Sequence, residues 1–131
     1  MNSVNYYSSM QKKMGARNPG EFIRLYMVQG MQHCTGGAGT DYFGQNSVPR
    51  NDAEHDIDAA VERWVEQGIA PGRIVASKLK NRANPADGVS RMRPLCACPK
   101  GAHYTGPAAP TKPRPSTVNS TALLIGSAVT R

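Results

Sequence analysis

His33 and Cys34 stand side by side in the stretch Tyr26-Met27-Val28-Gln29-Gly30-Met31-Gln32-His33-Cys34-Thr35-Gly36-Gly37. Imidazole is the side chain whose unperturbed pKa lies close to neutral, so it can take and return a proton within one reaction. Glycines at 30, 36 and 37 bracket it, and a nearly continuous apolar run precedes it at residues 22–28. The pattern reads as the end of a buried strand entering a tight turn, which is where α/β proteins place reactive groups. A histidine hydrogen-bonded in a turn for structural reasons has the same local sequence. Spacing alone leaves His33 nearer that structural reading than a catalytic one.

A base also needs something to activate. In α/β serine hydrolases the order is nucleophile, acid, histidine, with the serine on a Gly-x-Ser-x-Gly elbow. No such elbow occurs in these 131 residues, and Asp41, Asp52, Asp56 and Asp58 all follow His33. His33 is therefore expected to lack both its nucleophile and its orienting acid here.

The three cysteines are an odd number, so at least one has no partner within the chain. Cys96-Ala97-Cys98 has one residue between its thiols, whereas zinc sites favour two, and no metal is expected. A structural disulfide role suits Cys34 and Cys96 better. Thr35-Gly36-Gly37-Ala38-Gly39-Thr40 lacks the Lys-Ser/Thr of a phosphate-cradling loop and reads as a turn beside His33. His55 and His103 are expected to be solvated. The formal charge of +7 raises nucleic acid or an acidic partner as a ligand, but the cations are scattered and few aromatics lie among them. A solvated basic surface is the simpler reading, and nucleic acid is not expected. The apolar stretch 122–129 is far shorter than the roughly 20 residues a membrane span needs.

The elements that must position His33 follow from periodicity and breakers. Residues 4–14 carry Tyr6, Tyr7, Met10 and Met14 at helical spacing, with Lys12, Lys13 and Gly15 closing the helix. Asn18-Pro19-Gly20 is a turn, and residues 22–28 suit a strand covered on both faces. Residues 52–67 are the strongest helix, capped by Asn51 with Glu54 in a capping box. Ile57, Ala60, Val61, Trp64 and Val65 form its apolar stripe, and Trp64 is expected to anchor it on the sheet. Gly68 and Pro71 end it. Residues 74–76 suit a short edge strand, 81–90 a loop and 91–99 an extended segment. Four prolines in 105–116 predict a disordered Pro/Thr/Ser-rich tail over 105–131. The fold class is α/β.

Four ordered segments then carry a resemblance. Phe22-Ile23-Arg24-Leu25 and the His33 stretch, Val61-Glu62-Arg63-Trp64-Val65-Glu66-Gln67-Gly68-Ile69-Ala70-Pro71, Arg73-Ile74-Val75-Ala76 and Arg93-Pro94-Leu95-Cys96 together resemble the tannase and feruloyl esterase family. Ser3-Val4-Asn5-Tyr6-Tyr7 is similar to the start of the helix after that family's catalytic aspartate. The resemblance spans roughly residues 2–106 and corresponds to the C-terminal part of a longer enzyme.

It implies a serine carboxylic-ester hydrolase that cleaves aromatic esters through an acyl-enzyme, with no cofactor, built on an α/β-hydrolase core with a lid. Residues 1–104 would then be part of that core: last strand, histidine loop and C-terminal helices. His33 would be the catalytic histidine. Cys34 would pair with a cysteine beside the serine, and Cys96 with one near the C-terminus, both partners being absent here. The family's members would be secreted or periplasmic, while this chain, without a signal peptide, would be cytoplasmic if made as it stands. Lacking serine and aspartate, it is expected to be inactive alone. The alternative is a small basic non-catalytic binding module built on a hydrolase remnant.

Overall fold

The computed structural model describes residues 2–15, 19–45 and 52–103. The expected tail at 105–131 and the expected cap Asn51 lie outside them. Helix α1 (Ser3–Met14) begins at Asn2, whose side chain accepts the Asn5 N–H at 2.9 Å, and ends at Gly15 with Lys12 and Lys13 in its last turn. Cations beside the exposed carbonyls of a helix end stabilise it. Only Tyr7 of this helix is buried.

Residues 22–28 depart from expectation. They are extended but form no strand, pairing only through a Tyr26–Ala97 bridge and the Cys98 N–H to Leu25 carbonyl bond at 2.8 Å. Tyr26 and Val28 pack on the core, whereas Phe22 and Met27 are more than half exposed. An apolar run fixes what a segment tends to bury, but a ladder needs a neighbour along its whole length. Among the described residues only Ala97 and Cys98 pair with it through the backbone.

Helix α2 (Ile57–Gln67) starts later than the sequence predicts. Asp56 is its N-cap, accepting the Asp58 and Ala59 N–H groups at 2.9 and 3.2 Å. Asp52 takes the N–H groups of Glu54 and His55 into a separate turn, so residues 52–55 are not helical. Two aspartates four positions apart each close a turn of their own. The C-terminus is as expected: Gly68 is left-handed and donates to the Trp64 carbonyl at 3.0 Å.

The face that docks also differs. Ala60 is fully buried and Ile57 packs beside it, while Val61 and Val65 are exposed. Trp64 is only partly buried and lies under the Arg24 guanidinium, 5.1 Å from its ring centre. A residue as small as alanine lets the helix approach closely, and the bulky indole is left at the edge as a cation–π partner.

Strands β1 (Arg73–Leu79) and β2 (Val89–Cys96) form an antiparallel pair, with Ile74 opposite Leu95, Ala76 opposite Arg93, and a bulge at Lys78/Leu79. The expected edge strand at 74–76 is thus longer, and the loop expected over 81–90 ends where β2 begins. Phe43, Ala60, Ile74, Ala76 and Leu95 form the core, with α2 on one face of the hairpin. The described residues make a small α/β piece of two α-helices and one two-stranded sheet. No described helix is long and apolar enough to cross a membrane.

Candidate active site

His33 sits at the tip of the turn between Gly30 and Gly39. The turn is closed by bonds from Gly39 N–H to the Gly30 carbonyl (2.7 Å), Gln32 N–H to Gly36 (3.2 Å) and Thr35 N–H to His33 (2.8 Å). Two glycines make this closure possible. A Cβ on Gly39 would stand 2.0 Å from the Gln29 carbonyl oxygen, and one on Gly37, at φ +83°, 2.3 Å from that of Gly30. Neither position has room for a side chain.

The imidazole is exposed, and no carboxylate contacts it among the described residues. Its neighbour is the Cys34 thiol, with Sγ 3.2 Å from Nδ1 and 4.0 Å from Nε2. Cys34 adopts φ +64°, a left-handed conformation uncommon outside glycine, asparagine and aspartate. Such a residue persists only where its surroundings impose the conformation.

The surroundings are imposed by Asp41, which sequence reasoning passed over. Asp41 is buried, and its carboxylate accepts the Gly36 N–H at 2.6 Å and the Arg82 guanidinium at 2.6 Å. The Lys78 ammonium lies 3.2 Å away and also donates to the Gly37 carbonyl at 2.9 Å. Burial pushes the Asp41 pKa up, but the Gly36 N–H, Lys78 and Arg82 together outweigh it and hold the carboxyl below its ordinary value. It is an anion tying the histidine turn to β1. The backbone repeats the link: the Asp41 and Tyr42 N–H groups both reach the Ser77 carbonyl at 3.0 Å, and Ser77 N–H returns to Tyr42 at 2.8 Å. From the other side Gln45 accepts from Phe43 N–H and donates to the carbonyls of Asp41 and Cys34.

Lys78 and Arg82, read from sequence as solvated charge, are thus structural partners of a buried carboxylate. His55 also differs from expectation: its Nδ1 lies 2.7 Å from Asp52 in the turn before α2, and its side chain is one-quarter exposed. His103 is exposed. All three thiols are free, and Cys34 and Cys96 stand towards opposite ends of β1. Cys98 is partly buried, which raises its thiol pKa. No group of three or more His, Cys, Asp or Glu among the described residues could hold a metal ion.

An imidazole held out to solvent on a braced turn can take up and return a proton. The chain belongs to the tannase and feruloyl esterase family, whose model matches residues 1–114. It is 44% identical over 119 residues to an uncharacterized esterase of Xanthomonas campestris pv. campestris, covering 79% of this chain and 20% of that protein. A protein named probable feruloyl esterase B-1 from Aspergillus flavus is 36% identical over 110 residues, covering 81% and 20%. The crystal structure of an esterase from Aspergillus oryzae matches with a TM-score of 0.70 at 35% identity, covering 85% of this chain and 22% of that one. The chain spans about a fifth of the length of these relatives.

Proposed function

We propose that the chain is the histidine-bearing part of a serine carboxylic-ester hydrolase acting on aromatic esters, and that it contributes part of an α/β-hydrolase core. His33 is the base. The supporting observation is the exposed imidazole on a turn locked to β1 by the buried Asp41. In this reading the nucleophile and the orienting acid come from outside these 131 residues, since no Gly-x-Ser-x-Gly elbow lies within them.

Nε2 of His33 takes the hydroxyl proton as a serine Oγ attacks the ester carbonyl, then delivers it to the departing alcohol. The acyl-enzyme is cleared when the same nitrogen takes a proton from water. A ring working this way needs an acid at Nδ1, the position that the Cys34 thiol approaches here. Pairing Cys34 with a cysteine beside the serine would draw its sulfur away and open Nδ1 to the acid. Lys78 and Arg82 are engaged by Asp41, which withdraws two cations from any nucleic-acid surface.

The test has two arms using methyl ferulate and methyl gallate. The 131-residue chain alone should give no saturable turnover. A chimera carrying residues 1–104 in place of the corresponding segment of the Xanthomonas esterase should hydrolyse an aromatic ester. Turnover by the chain alone that depends on His33, or a folded chimera without turnover, would contradict the proposal.

A further inference from the structure

At the other end of β1 from the histidine turn, roughly 17 Å away along the strand at ~3.3 Å per residue, an open cleft of about 350 Å³ lies between the turn before α2, the middle of α2, the start of β1 and the end of β2. Its charged walls are Arg63 from α2, Arg73 from β1, Lys100 from the turn after β2, and a single carboxylate, Glu54. Glu54 is already engaged by Arg73. Arg63 and Lys100 form no ion pair among the described residues. The Arg63 Nε–H is buried with no acceptor among the described residues. Buried donors in folded proteins are nearly always satisfied, so this N–H marks a guanidinium whose hydrogen bonding is incomplete within a residue that lines the cleft.

We propose that this cleft binds a small dianion bearing phosphate or carboxylate oxygens. Three cations face one carboxylate there, leaving two positive charges uncompensated at a concave surface. Guanidinium groups carry planar, paired N–H donors, the geometry that fits the two oxygens of a phosphate or carboxylate, and Arg63 forms no ion pair among the described residues. Lys100 adds a mobile point charge at the rim. The cleft volume lies in the range of small-molecule sites, roughly 300–1,000 Å³. Nothing in the inference depends on His33 or on ester hydrolysis.

The Cys96 thiol lies in the wall of the cleft, whereas Cys34 and Cys98 do not line it, so the protein carries its own reporter and control. The full 131-residue chain is alkylated with limiting iodoacetamide, and each cysteine is quantified by peptide mass spectrometry. Sodium chloride, inorganic phosphate and succinate are compared at matched ionic strength. Phosphate, succinate or both should slow Cys96 alkylation saturably, by about fivefold or more at the highest concentration, and leave Cys34 unchanged. Whichever anion protects identifies the oxyanion group preferred. Arg63→Gln and Lys100→Gln should each weaken the apparent Kd about tenfold. Lys100 is exposed on a turn, so its substitution tests the site even if Arg63→Gln fails to fold. Protection no greater than in chloride, or undiminished protection in Lys100→Gln, would overturn the proposal.

Discussion

The two ends of β1 handle charge in opposite ways. At the Lys78 end, one buried carboxylate collects two cations and a backbone N–H, and the turn carrying His33 is pinned in place. At the Arg73 end, cations outnumber acids, and a buried Arg63 N–H has no acceptor among the described residues. Satisfied charges in a protected place fix geometry, because breaking them leaves a buried ion uncompensated. Cations in excess at an open cleft remain available to a ligand. The first arrangement suits a group that must be held still, the second a group that must be filled.

The contrast can be broken most severely at Asp41. Asp41→Ala should lower stability by about 2–3 kcal/mol in urea unfolding, below the usual cost of splitting a buried pair because Lys78 and Arg82 are partly exposed and can rehydrate. Asp41→Asn should cost less, since its amide oxygen can still accept the Gly36 N–H. Acid acts on the same contact. Because the folded Asp41 pKa lies below its unfolded value, this stabilisation is fully present above the ordinary carboxylate pKa of about 3.9 and is lost as pH falls through the lowered folded value. Asp52, also lowered, titrates in the same direction. The urea midpoint should therefore fall below about pH 4, and less steeply in Asp41→Asn than in the parent.

Smaller effects sharpen the other end. Asp56→Ala removes the cap of the helix that presents Arg63 and should cost about 1 kcal/mol, read as a lower thermal midpoint. Glu54→Gln should change stability by less than about 0.5 kcal/mol, because both Glu54 and Arg73 are nearly half exposed. The same substitution should strengthen phosphate or succinate protection of Cys96 by removing the cleft's one competing carboxylate.

Local signals made much of this legible in the sequence. Basic residues before Gly15 close α1, Gly68 ends α2, and the glycines around His33 mark a turn. Their partners lie within a few residues. What stayed hidden depends on distant residues. Asp41 gains its meaning from Arg82, 41 positions away, and nothing near it in sequence says that it will be buried. The run at 22–28 has the composition of a covered strand, yet pairing depends on neighbours that the run itself does not specify. The capping box at Asn51 and Glu54 is locally plausible, but Asp52 takes the Glu54 N–H and Asp56 caps the helix further on. Arg63, Arg73 and Lys100 meet only once α2 and the hairpin are packed.

The most direct test of the account is the kcat/KM of the esterase chimera for methyl ferulate, with and without His33→Ala. If His33 is the base, the substitution should reduce kcat/KM by about 10²- to 10⁴-fold, while the circular dichroism and thermal midpoint stay unchanged. A His33→Ala chimera that is folded and hydrolyses the ester at the parent rate would contradict it.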